Sequence, residues 1–164
     1  MNTEKIKIID WKPKWDGGAP MPQVFSNDGK VYLTYIVADW DEESIEDFRT
    51  LEHDGYEGFH ALVEFEGNTF KFGIANDEVF SGLPLYGQGL EWAQIVENSK
   101  WVAELKKIQK VHPYYDESRW ENRKHYLLTF KDNIMEVIAT EYKIEIFRTS
   151  SKRIAQEVVE RMNK

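Results

Sequence analysis

The chain contains no cysteine. That excludes disulfides, thiolate metal sites and a cysteine nucleophile together, and makes a reducing compartment the expected setting. No run of about eighteen apolar residues occurs, and the opening stretch mixes Lys, Glu, Trp, Pro and Gly without the apolar centre of a signal peptide. Membrane spanning and export are therefore not expected, and the cytoplasm is the expected location. Basic residues form no stripe, and the net charge is −8. Binding to a phosphate backbone needs clustered Lys and Arg that release counterions, so nucleic acid is not an expected partner.

What is present is material for a core. Of 164 residues, 41% are apolar and 14% aromatic, and a compact chain of this length buries roughly 70% of its unfolded surface, so one domain over residues 1–164 is expected. The charge is unevenly placed. Residues 39–57 (DWDEESIEDFRTLEHDGYE) hold nine of the 29 acids and one of the 21 bases, Arg49, which leaves acids and bases equal in number elsewhere. The whole imbalance sits in one segment.

Alternating apolar and polar residues predict strands. In GFHALVEFEGNTFKFGIAN, a two-residue turn at Gly67-Asn68 would pair Glu64 with Lys71, Phe65 with Phe70 and Val63 with Phe72. In HYLLTFKDNIMEVIAT, a turn at Asp132-Asn133 would set Phe130 against Met135, Leu128 against Val137 and Tyr126 against Ala139. A tight turn at Glu141-Tyr142 would add YKIEIFR and make a three-stranded meander. KVYLTYIVAD (30–39) is apolar on both faces and reads as a central strand, preceded by an Asn27-Asp28-Gly29 turn and a short strand at 23–26. KIKIID (5–10) reads as an edge.

Two helices are predicted. One is capped by Asn98 or Ser99, carries Trp101, Leu105, Ile108 and Val111 at helical spacing, and stops before Pro113. The other starts at Ser150 or Ser151 with the stripe Ile154, Val158, Met162. A third, weaker one runs through Ile45, Phe48 and Leu51. WKPKWDGGAPMP and residues 80–92 read as loops. The expected class is α+β, mainly antiparallel sheet covered by two or three helices.

No catalytic motif emerges. Ser81 lacks the glycine two residues upstream that a nucleophile elbow requires, Gly87-Gln88-Gly89 lacks the third glycine of a dinucleotide fold, and Ser99 is most economically a helix cap. His60 and Glu64 share a strand face but are separated by about 13 Å of strand, too far for one ion. Residues 39–43 lack the spacing and glycine of an EF-hand. His60 and His125 both lie on mixed strand faces and would approach each other if their hairpins adjoin; the plainer reading is a structural histidine in each case. No cofactor or metal is expected.

Two surfaces remain as candidates. Asn76, Asp77 and Glu78 follow a strand, and with Tyr86 in the 80–92 loop and His112 and Tyr114 they have the composition of a small-molecule pocket, His60 or His125 contributing. The plainer alternatives are a strand-ending turn and a packed loop. The acidic segment, through Asp41, Glu42, Glu43, Glu46 and Asp47, suits a basic protein partner, because a local charge excess speeds encounter. Its plainer alternative is a solvated, self-repelling face.

The series Asn76-Asp77-Glu78, Gly82-Leu83-Pro84-Leu85-Tyr86, Glu97-Asn98-Ser99 with Trp101, Val111-His112-Pro113 and His125 before the 130–136 hairpin resembles a family of small uncharacterised bacterial proteins. The resemblance covers roughly residues 20–140 and implies a bacterial cytosolic domain, with no activity attached. The expected function is that of a non-enzymatic binding protein, an immunity-type inhibitor of a basic partner in its sharpest form. The alternative is a small-molecule-binding protein or an enzyme of weak motif.

Overall fold

The computed structural model describes residues 2–55 and 57–164. Ten strands form two five-stranded sheets. The first contains β1 (Lys5–Ile8), β7 (Ala93–Glu97), β8 (Lys124–Thr129), β9 (Ile134–Ala139) and β6 (Thr69–Gly73), in that spatial order. The second contains β2 (Gln23–Ser26), β3 (Lys30–Ile36), β5 (Gly58–Glu66), β10 (Tyr142–Thr149) and β4 (Arg49–Thr50). Every pairing is antiparallel except β4 with β10. The fold is α+β, as the alternation predicts.

The sheets face each other across one apolar core. Val31, Leu33, Ala61, Val63 and Phe65 project from the second sheet, and Tyr126, Leu128, Met135 and Val137 from the first. This is how two one-sided sheets remove their apolar faces from water. Trp11 and Trp15, from the Pro- and Gly-rich stretch read as loop, are buried within the same core. Trp11 Nε1–H donates to the Tyr35 hydroxyl (3.0 Å), which donates to the Pro13 carbonyl (2.6 Å), so the polar atoms carried inward are paired.

One helix covers the outer face of the second sheet, and another touches the first. The helix α2 (Ser151–Met162) lays Ile154 and Val158 on Tyr32, Leu62 and Phe147 of the second sheet. Its Arg161 also reaches Glu64 on β5 and Glu145 on β10, tying helix to sheet by charge. The other, α1 (Lys100–Gln109), places the Trp101 ring 5.2 Å from the His125 ring on the first sheet, with the Lys71 ammonium 4.2 Å from the centre of the same ring. Both are capped by serine: Ser99 accepts from the Val102 N–H and Ser150 from the Arg153 N–H. The expected apolar stripe of α1 is only partly used. Ile108 is exposed, and Val111 lies beyond the helix in solvent.

The strand pairing differs from the sequence expectation at both turns. β5 and β6 are not a hairpin: at Gly67-Asn68 the chain leaves the second sheet and enters the first, so Lys71 faces Glu136 rather than Glu64. At Thr140-Glu141 it crosses back, so β10 joins β5 instead of completing a meander. The two crossings are bonded together, with the Glu66 N–H donating to the Glu141 carbonyl and the Thr140 N–H to the Glu66 carbonyl, each at 3.0 Å. Alternation cannot reveal such a crossing, since a residue that faces inward in one sheet still faces inward in the other.

β8 and β9 do form a hairpin, but Leu128 faces Met135 and Tyr126 faces Val137, a two-residue slip from the expected register. The turn is therefore at Lys131-Asp132, closed by the Phe130 N–H to the Asn133 carbonyl (2.9 Å). A slip of two leaves every face unchanged. The third helix does not form. Asp39–Ser44 is a 3₁₀ turn, Arg49–Thr50 pairs with β10, and β7 occupies a stretch in which no strand is expected.

Candidate functional site

The expected pocket residues are not gathered. Asn76–Glu78 lead from β6 into a 3₁₀ turn, where the Asp77 N–H donates to the Lys131 carbonyl (2.7 Å) and Asp77 borders a shallow cleft of about 270 Å³ with Trp15, Phe80, Trp92 and Phe130. Tyr86 stands half-exposed on the neighbouring loop. His112 and Tyr114 line a separate hollow of about 230 Å³ beyond the C-terminus of α1, with Tyr115, Asp116 and Arg119. The single pocket composed of these segments is thus corrected to two small, unconnected depressions.

His60 and His125 belong to neither. His60 lies on the outer face of the second sheet and His125 on the outer face of the first, so the whole sandwich separates them. They do not approach each other. Each has both ring nitrogens engaged, and among the described residues no three His, Cys, Asp or Glu side chains are grouped to hold a metal.

The wiring of the two histidines is parallel. His60 Nδ1 is 3.1 Å from the Gly58 carbonyl, which can only accept, so Nδ1 carries the proton and Nε2 accepts from the Ser151 hydroxyl at 3.0 Å. Burial holds the His60 pKa below its ordinary value; the Gly58 bond opposes this, and the nearby His53 reinforces it. At the other site Ser99 Oγ accepts from the Val102 N–H (3.2 Å), which leaves its own proton for His125 Nδ1 at 2.8 Å. His125 Nε2–H then donates to Glu136 Oε1 at 2.9 Å. That bond, more than the opposing burial, holds the Glu136 carboxyl below the ordinary glutamate range.

Ser99, His125 and Glu136 come from α1's cap, β8 and β9, brought together by the first sheet. Ser99 and His125 border a cleft of about 660 Å³ whose rim includes Lys7, Lys106, Arg123 and Lys124. No motif connects three residues so spaced, and only the capping signal at Ser99 and the mixed face at His125 are visible in the sequence.

The acidic segment divides into buried and exposed parts. Asp41 is buried: its carboxylate accepts from the Lys14 N–H, and its carbonyl accepts from the Ser44 hydroxyl, so it anchors the 3₁₀ turn and is unavailable to a partner. Glu42 is half-buried, whereas Asp39, Glu43, Glu46 and Asp47 are exposed. Two aromatic residues stand out among them, Trp40 (58% exposed) and Phe48 (45%). Trp40 rests edge-on against Trp92 (centroids 6.0 Å) and Phe48 against Phe59 (5.1 Å), so each ring is held in place while presenting a face to solvent. Arg49, the segment's single base, is engaged by Glu145.

Comparison with protein-family models, with curated proteins and with solved structures finds no match for this chain. No helix among the described residues is long and apolar enough to cross a membrane.

Proposed function

We propose that the protein is a binding protein that captures a basic protein partner through the surface formed by Asp39, Trp40, Glu43, Glu46, Asp47 and Phe48. The observation that carries this reading is the coincidence of exposed, supported aromatic rings with the one segment that holds the chain's entire excess of negative charge. Each half has a distinct use. The carboxylates attract a basic surface over distance and raise the encounter rate, while a tryptophan held by a neighbouring ring buries area at low entropic cost and slows release. An immunity-type inhibitor needs both properties.

An inhibitor is expected to be encoded beside its target, so the product of the adjacent gene is the first partner to measure. With purified partner, converting Asp39 and Asp47 to Asn and Glu43 and Glu46 to Gln should lower the association rate constant by about 10–100-fold at low salt. The same difference should shrink as salt is raised. Trp40→Ala should act instead on dissociation, with a loss of about 2 kcal/mol. An association rate indifferent to both charge and salt would remove the electrostatic reading.

A further inference from the structure

We propose that Ser99 is a reactive nucleophile, activated by His125 and supported by Glu136, for transfer of a small acyl group from an ester. The site lies on the first sheet and is independent of the acidic surface.

The molecule contains its own comparison. Ser151 and His60 reproduce the serine-to-imidazole bond at the start of α2, but there the second ring nitrogen faces only the neutral Gly58 carbonyl. A cleft of about 660 Å³ also lies beside Ser151, but Ser150, Lys152 and Arg153 line it and Ser151 itself does not. At His125 the third member is a carboxylate, and the serine opens on a cleft of about 660 Å³. A histidine needed only as a structural latch requires neither addition. A base that must carry positive charge while a serine attacks requires the carboxylate, and a substrate requires the cleft.

The backbone agrees. Ser99 sits in a tight strand-to-helix turn between β7 and α1, and Asn98 before it adopts the left-handed conformation (φ 55°). The N–H of the residue after a nucleophile in such a turn is placed to bind the oxyanion of a tetrahedral intermediate. Here that N–H, on Lys100, donates to the Glu4 carboxylate at 2.7 Å. Neither Lys100 nor Glu4 lines the cleft, so a substrate oxygen reaching this N–H would have to displace the Glu4 carboxylate. Lys7, Arg123 and Lys124 line the cleft against one carboxylate, Glu97, while Lys106 is engaged by Glu117; the remaining positive balance favours an ester that also carries a negative group.

The step balances within these groups. Ser99 Oγ bonds to the carbonyl carbon, whose π pair moves onto oxygen, as the serine proton passes to His125 Nδ1; Nε2 keeps its proton and its hydrogen bond to Glu136. The tetrahedral alkoxide collapses by expelling the alkoxy group, which takes the proton from Nδ1, and leaves the acyl group on Oγ. Water then gives a proton to the same nitrogen as its oxygen bonds to the acyl carbon; the bond from that carbon to Oγ breaks, Oγ takes the proton back from Nδ1, and the carboxylic acid leaves. Ser99 and His125 are the catalytic pair, and Glu136 is a positioning residue.

The test is labelling of the full-length protein with a fluorophosphonate probe, with the adduct located by peptide mass spectrometry. The expected result is one adduct, on Ser99. His125→Ala should slow labelling about 100-fold or more, the usual contribution of a general base, and added imidazole should restore part of it. Glu136→Ala should slow it less, and Glu136→Asp should recover what Glu136→Ala loses; Glu4→Gln should speed it. Melting curves identify any variant that fails to fold. The wild-type adduct decides even then: absence of label on Ser99 overturns the proposal, as does undiminished labelling of folded His125→Ala.

Discussion

Gly67→Ala is expected to destabilise the protein by about 3 kcal/mol, the upper part of the range for overpacking, and to lower the melting temperature by roughly 6–12 °C for a chain of this length. A β-carbon at residue 67 would stand 2.3 Å from the Ile138 carbonyl oxygen and 3.0 Å from the Ala139 α-carbon. Both obstacles are backbone, and both belong to the end of β9, just before the chain crosses back between sheets. Relief would require the two crossings to separate, breaking the bonds between Glu66 and residues 140 and 141. Gly82→Ala is the matched control. Nothing lies within 4 Å of its would-be β-carbon, and its effect should stay within about 0.5 kcal/mol. Equal, small losses at both positions would mean that the crossings are not in contact.

Trp15→Ala is expected to cost about 3–5 kcal/mol, with a fall in melting temperature of roughly 6–20 °C. The ring is 1% exposed and touches Phe130 (centroids 4.4 Å), Trp92 (5.3 Å), Tyr35 (5.6 Å) and Trp11 (6.2 Å), which come from both sheets and from the segment before β2. No neighbour can fill the space without abandoning its own contacts, so the cavity term adds to the lost transfer free energy. Trp40→Ala offers the contrast: an exposed ring whose removal should leave stability nearly unchanged while weakening partner capture. Thermal melts of the two variants separate the tryptophan that builds the protein from the one proposed to serve its function.

These variants also mark where the sequence is and is not legible. Sidedness is readable residue by residue: Val63, Phe65, Leu128 and Val137, assigned inward by alternation, are fully buried. The caps Ser99 and Ser150 and the stripe Ile154–Val158 follow from local signals of a few residues. Sheet membership does not, because Gly67-Asn68 has the composition of a hairpin turn, and nothing local records that Ile138 will press against it. The burial of Trp11 and Trp15 is likewise a tertiary outcome in a stretch whose Pro and Gly content signals a loop.

The candidate sites divide in the same way. Charge excess at 39–57 is a property of composition and visible at once, but the inward turn of Asp41 depends on the Lys14 N–H, 27 residues away. The Ser99–His125–Glu136 arrangement depends on β8 lying between β7 and β9, which follows from pairing rather than spacing. Asn76–Glu78 and His112–Tyr114 have ligand-like composition without convergence, because composition carries no information about where a loop is placed.

The two-sheet fold rests on the exchange of strands at residues 67–68 and 140–141, and the absence of native cysteine allows a direct test by cross-linking. Residues directly opposite in an antiparallel pair lie about 4.5–5.5 Å apart at the α-carbon, within disulfide reach. Lys71 faces Glu136 across the β6–β9 pair, whereas a hairpin turning at Gly67-Asn68 would place it opposite Glu64. Under mild oxidation of the folded protein at low concentration, the double variant Lys71→Cys with Glu136→Cys should close an intramolecular disulfide, and Lys71→Cys with Glu64→Cys should remain reduced. The opposite pattern would contradict the two-sheet arrangement.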